Sequence, residues 1–192
     1  FFDVGANWGY LSLYAATLPG YSGPIHAFEP VPSAHRDLVR AVDELGLGAR
    51  IVCHEMALSD RTGEGRMIIP DAVNTGWAKV VETGVVAPGG FPVRTVRLDD
   101  LTLPDPDFIK IDAEGHELRI LQGATAVLRR ARPHIILENW LERRDLPATI
   151  APLKLLEREG YRLFVPCWQA PGDPPVVWPE PHPPSPAPDQ MF

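Results

Sequence analysis

The strongest constraint on this chain is an alternation between two kinds of segment. Short apolar runs (Phe1–Val4, Ile25–Phe28, Ile51–Leu58, Phe108–Asp112, His134–Leu137 and Tyr161–Val165) are separated by stretches with helical period. Strands joined through helices pair in parallel, and the crossovers cover both faces of the sheet. The expected fold class is therefore α/β, a doubly wound and mostly parallel sheet. Helices are expected from Gly9 to about Leu18, from Ser33 (a candidate N-cap) to about Leu45 before Gly46, from Glu114 to Arg130, and from Ala148 to Glu159 before Gly160. His134–Leu137 is apolar throughout and reads as a buried strand. Pro175–Trp178 reads as a short edge strand.

One interval breaks the alternation. Ser59–Leu98 carries two strand-like runs, Met67–Ile69 and Val93–Val96, around a glycine-rich stretch. It is expected to be a β-rich insertion between the third and fourth main strands, lying as a flap over the site. Trp77, beside Asn74-Thr75-Gly76, is then placed to touch substrate. Ten of the 22 prolines fall between Pro166 and Pro188, so residues 179–192 are expected to be a linker or tail near polyproline II. One domain over residues 1–178 precedes that tail. The chain opens on Phe1-Phe2, which look like the interior of a strand, and so reads as cut from something longer.

Composition removes several classes. With 45% hydrophobic residues among 192, the chain can bury one sizeable core. Its 18 Lys+Arg against 25 Asp+Glu leave a net charge of −7 and no basic stripe, so nucleic acid is not an expected partner. No apolar stretch reaches the roughly 18 to 20 residues of a membrane span, so no membrane partner is expected. Cys53 and Cys167 are not a disulfide framework, which fits a cytoplasmic location. The oligomeric state stays open.

The most informative local pattern is Asp3-Val4-Gly5-Ala6-Asn7-Trp8-Gly9, which follows a strand and opens a helix. Glycines there let the backbone turn tightly and approach a ligand. Glu29 ends the second strand 24 residues after Gly5, where an acid can accept hydrogen bonds from both hydroxyls of a ribose. Such a strand-end acid is expected to face the cleft and to matter little for folding. A dinucleotide fingerprint from Gly5 would want glycine at positions 7 and 10, where this chain has Asn7 and Tyr10. The spacing D-x-G-x-x-x-G instead sets an acid, Asp3, near a ligand's cationic amine and cradles no pyrophosphate. S-adenosylmethionine, with an ammonium and a ribose but no phosphate, fits better. The bland alternative is a glycine turn that only allows close packing.

A second pattern is Phe108-Ile109-Lys110-Ile111-Asp112-Ala113-Glu114-Gly115-His116-Glu117. Lys110 and Asp112 alternate with Ile109 and Ile111, so both charges point to one face of a buried strand. Burying them is costly unless they pair or serve a site, and a Lys110 ion pair with Asp112 or Glu114 is the structural option. The functional option puts Asp112 beside the cofactor, with Glu114 and His116 lining the substrate side. Asp112, Glu114 and Glu138 stand at strand ends where they could converge on Mg²⁺, although no metal is assigned. His26, His54 and His134 read as satisfied core or strand-end residues.

These motifs, with Ala27-Phe28-Glu29-Pro30-Val31-Pro32, Glu55-Met56-Ala57-Leu58-Ser59, Leu98-Asp99-Asp100-Leu101, Leu121-Gln122-Gly123-Ala124 and Pro133-His134-Ile135-Ile136-Leu137-Glu138, follow a known order. Over about residues 1–165 the chain resembles the FkbM-type methyltransferases. The resemblance implies a Rossmann-like, class I S-adenosylmethionine-dependent methyltransferase fold and O-methylation of a small-molecule hydroxyl, on a sugar or polyketide. It implies cofactor contacts from Asp3, Gly5, Ala6, Asn7, Gly9, Glu29, Pro30, Ala57 and Asp112. Asp112 and Glu114 are the candidate catalytic groups. His116, where the family often has a small residue, joins them as a candidate base on its position alone. An NAD-dependent oxidoreductase of similar layering and a catalytically inactive cofactor-binding module are the competing readings.

Overall fold

A computed structural model of the chain describes residues 1–68, 79–81, 90–139 and 146–164. The order is β1 (Phe2–Val4), α1 (Tyr10–Thr17), β2 (Ile25–Phe28), α2 (Pro32–Glu44), β3 (Ile51–His54), β4 (Ala57–Leu58), β5 (Gly63–Ile68), β6 (Lys79–Val81) and β7 (Phe91–Val96). There follow β8 (Phe108–Ile111), α3 (Glu117–Gln122), α4 (Thr125–Ala131), β9 (His134–Leu137) and α5 (Leu146–Arg158). The main sheet runs β3-β2-β1-β8-β9 with every pair parallel. Strand order reverses between β1 and β8, the switch point at which such sheets open a crevice beyond their carboxyl ends. There Asp3 lies beside Lys110 and Val4 beside both Phe28 and Ile111.

Apolar side chains on the two faces recruit different layers. Ala27, Ile25 and Ile51 pack with Ala16 of α1 and with Leu38 and Val42 of α2. Phe2, Val4, Phe28, Ile109 and Ile111 pack with α3, α4 and α5 on the other side. A second sheet, β4-β7-β5-β6, is the expected β-rich insertion. Leu58, Val96 and Leu98 tie it into the larger core, and Met67 and Val93 pack on Val31 and Ala34 where α2 begins. The described part of the insertion is thus anchored structure. Trp77, Pro175–Trp178, Cys167 and the tail 179–192 lie outside the described residues.

Several sequence expectations are corrected. Ile51–Leu58 is two strands, because the chain folds tightly at Glu55-Met56, where the Met56 N–H returns to the His54 carbonyl at 3.0 Å. β3 then joins one sheet and β4 the other. Ser33 does not cap α2: the helix starts at Pro32, whose fixed φ suits its first turn, after Val31. The stretch 114–130 is not one helix. Glu114 and Gly115 have φ of 53° and 96°, and a break at Gly123-Ala124 separates α3 from α4. The Asp99 carboxylate enters that break from the turn after β7 and accepts the Ala126 and Val127 N–H groups at 3.0 Å each. Residues 161–164 form no strand, and Val165 lies outside the described residues. β9 is not buried either: it stands last in the strand order among the described residues, with Ile136 59% exposed. Among the described residues no helix is long and apolar enough to cross a membrane.

Candidate active site at the strand ends

The loop after β1 is suspended between β2 and β8. The Gly5 and Ala6 N–H groups both donate to the Phe28 carbonyl at 3.0 Å, and the Asn7 N–H donates to Glu29 Oε2 at 2.7 Å. On the opposite side the Val4 carbonyl accepts from the Asp112 N–H at 3.1 Å, and the Gly5 carbonyl accepts from Lys110 Nζ at 2.6 Å. Gly5 has a φ of 75°, and a Cβ there would overlap the Asp112 carbonyl oxygen. Only glycine fits so close an approach in that conformation. Gly9, at φ 94°, precedes α1, whose N-terminus has no side-chain cap.

Glu29 is buried, contrary to the expectation of a free acid facing the cleft. One oxygen accepts from Asn7 and the other from the Val31 N–H at 2.8 Å, so the carboxylate ties the β1 and β2 loops together. Burial pushes its carboxyl above the ordinary value, while the two backbone donors and Lys110 pull it back. A carboxylate oxygen has two acceptor sites, and each of these oxygens uses one of them in its contact to Asn7 or Val31. Pro30 follows, half-buried, and Ala57 is buried at the start of β4.

Asp3 is fully buried, which removes it from the surface where a ligand amine would sit. Its Oδ2 accepts from the Ser12 hydroxyl at 2.7 Å, and its Oδ1 lies 3.2 Å from Lys110 Nζ. Lys110 reaches Asp112 Oδ2 at 3.7 Å, so the expected ion pair with Asp112 forms, shared with Asp3. The Asp112 side chain is 42% exposed. Carboxylate oxygens of Asp112, Glu114 and Glu138 lie within 4.8 Å of one another. Hard oxygen donors in that number suit Mg²⁺ or Ca²⁺.

His116 is placed elsewhere. It is buried, its Nε2 lies 2.9 Å from the Ser59 hydroxyl, and burial lowers its pKa to about 4. Ser59 in turn donates to Asp60, which takes a 3.0 Å ion pair from Arg119. This is a joint between the second sheet and α3, and His116 does not join the group that Asp112 forms with Glu114 and Glu138. His26 and His54 satisfy each other at 3.0 Å, and His134 is exposed. Sequence reasoning missed Glu117, whose Oε1 accepts from the Ala113 and Gly115 N–H groups and fixes the turn carrying Glu114. An acid in a first helical turn just after a glycine was the available signal.

Comparison with known proteins points one way. The methyltransferase FkbM domain family matches residues 3–163. A hexuronic acid methyltransferase, AglP, of Haloferax volcanii is 25% identical over 158 residues, covering 80% of this chain and 62% of its own. The crystal structure of a methyltransferase FkbM from Methylobacillus flagellatus KT superposes with a TM-score of 0.56 at 20% identity, over 81% of this chain and 36% of that one. The chain therefore spans less than two thirds of the length of these relatives. The structural likeness bears on the fold: a mostly parallel sheet of the class I methyltransferase kind.

Proposed function

The chain belongs to the FkbM methyltransferase family, and from that premise we propose that it transfers a methyl group from S-adenosylmethionine to a hydroxyl of a small molecule, with sugars as the first acceptor class to test. The observation that carries the cofactor choice is the fate of three consecutive N–H groups. Those of Gly5, Ala6 and Asn7 all end on Phe28 or Glu29 inside the protein. A dinucleotide needs the donors of this loop for its pyrophosphate. A cofactor without phosphate does not, which favours S-adenosylmethionine over NAD.

The residues present fit that group. Glu29 keeps one acceptor site on each oxygen, enough for two ribose hydroxyls. Gly5 and Gly9 hold the loop close to the strand ends, and Asp112 presents an accessible carboxylate at the switch point. Bound S-adenosylmethionine supplies an electrophilic methyl group. The chain's task is then to hold the acceptor oxygen in line with it. Asp112, with Glu114 beside it, orients the acceptor hydroxyl and takes its proton as that proton becomes acidic. The acidic composition and cysteine pattern support a cytoplasmic setting without a nucleic-acid partner.

The similarity to a hexuronic acid methyltransferase supports acidic sugars as the first acceptors to try. The purified chain is incubated with methyl-labelled S-adenosylmethionine and a panel of hexuronic and neutral sugars. Label in a base-stable methyl ether is expected. Label released by mild base would mean that a carboxylate, not a hydroxyl, is the acceptor.

A further inference from the structure

We propose that Lys110 is a positioning residue whose enclosed ammonium sets the place of the Gly5 carbonyl and of the Asp112 carboxylate. This rests on the reading of the switch point as the S-adenosylmethionine site. Lys110 sits between Ile109 and Ile111 in β8, is only 8% exposed, and turns toward the loop rather than to solvent. Burying an ammonium is expensive, and an apolar side chain would serve this strand at least as well if packing were its only duty.

The contacts say what the charge does. Its shortest hydrogen bond, 2.6 Å, goes to the Gly5 carbonyl, with the Val4 carbonyl at 3.3 Å and Asp3 Oδ1 at 3.2 Å. The two carbonyls are hydrogen-bonded to the ammonium, while Asp3 Oδ1 lies at ion-pair distance with no hydrogen bond of its own. Asp112 Oδ2 at 3.7 Å is held by charge alone. Asp3 cannot follow a displaced lysine, because Ser12 fixes its other oxygen. Glu29 pins the same loop from β2 through Asn7, so Lys110 and Glu29 act as opposed anchors, one on a carbonyl and one on an N–H. Without the β8 anchor the loop is held from one side, and Asp112 loses the charge that fixes its carboxylate.

The test uses two variants. Lys110→Arg keeps the charge in a fork that cannot reproduce an ammonium's directions. Lys110→Met combined with Asp3→Asn removes the ion pair without leaving a lone buried charge. Calorimetry with S-adenosylhomocysteine, turnover and melting temperature are measured on all three proteins. Both variants are expected to melt within about 4 °C of the wild type. Cofactor Kd should rise about tenfold, and turnover at saturation should fall about 100-fold as Asp112 shifts. Wild-type affinity and turnover in both variants would overturn the role of Lys110 alone. Failure of both to fold would make Lys110 structural and overturn it as well. A wild-type protein that does not bind S-adenosylhomocysteine would instead remove the cofactor assignment on which the inference stands.

Discussion

Asp112 and His116 stand four positions apart, yet they belong to polar clusters built for opposite ends. Around Asp112, the buried groups Glu29 and Lys110 hold the backbone of one loop, Asp3 pairs with Lys110 beneath it, and the cluster ends on a carboxylate 42% exposed at the switch point. Around His116, the chain of contacts starts from two buried side chains, His116 and Ser59, and runs to the half-buried Asp60–Arg119 ion pair between the second sheet and α3. The left-handed pair Glu114-Gly115 turns the backbone between them and sends the two residues to different places. Charged residues in one motif can therefore serve two different networks, one at the switch point and one between layers. The network at His116 joins two layers.

Two glycines give the sharpest way to break this contrast. A Cβ at Gly5 would overlap the Asp112 carbonyl oxygen, and one at Gly123 would overlap the Ser59 carbonyl oxygen. Gly5→Ala also forces alanine to φ 75°, so it should cost more than about 3 kcal/mol and abolish cofactor binding. Gly123→Ala should cost about 2 to 3 kcal/mol while the folded fraction keeps its affinity. Urea melts and calorimetry on both proteins check this, and equal loss of binding would erase the distinction between the regions.

Glu29→Ala comes next. It strips the acceptor from two backbone N–H groups, so a stability loss of about 2 to 4 kcal/mol is expected. Cofactor affinity should fall by about 1.5 to 3 kcal/mol in the same protein. Unchanged stability would mean that the carboxylate does not tie the two loops.

The joint makes its own prediction, in pH. His116 has a folded pKa of about 4 against an ordinary 6.5, so it is neutral in the fold and takes its proton more readily when unfolded. Its contribution is complete above about pH 6.5 and is lost as pH falls toward 4, by up to about 3 kcal/mol. His116→Gln should flatten that acid limb without changing cofactor Kd at pH 7.5. His54, which burial also lowers to about 4, keeps part of the slope. The smallest stability effect belongs to Asp112→Asn, within about 0.5 kcal/mol at so exposed a position. Its turnover should nevertheless fall about 100-fold.

What the sequence made legible depended on distance along the chain. The parallel sheet followed from local periodicity, and the β1 loop followed from glycine spacing within seven residues. Glu29 was legible as a strand-end acid, but its donor at Asn7 lies 22 residues away and its burial was not. The break between α3 and α4 depends on Asp99, 27 residues before Ala126. The placement of His116 depends on Ser59, 57 residues before it. No local pattern carries those contacts. The apolar run of β9 was equally silent, because a hydrophobic strand reads the same at the end of a sheet as in its middle.

The measurement that tests the switch-point reading most directly is a pair of calorimetric titrations of the wild-type chain, one with S-adenosylhomocysteine and one with NAD⁺. The inward-facing N–H groups of Gly5, Ala6 and Asn7 predict one-to-one binding of S-adenosylhomocysteine. NAD⁺ should bind at least about 100-fold more weakly, because the three N–H groups of Gly5, Ala6 and Asn7 are already taken by Phe28 and Glu29 and are lost to its pyrophosphate. Tighter binding of NAD⁺ would contradict the assignment.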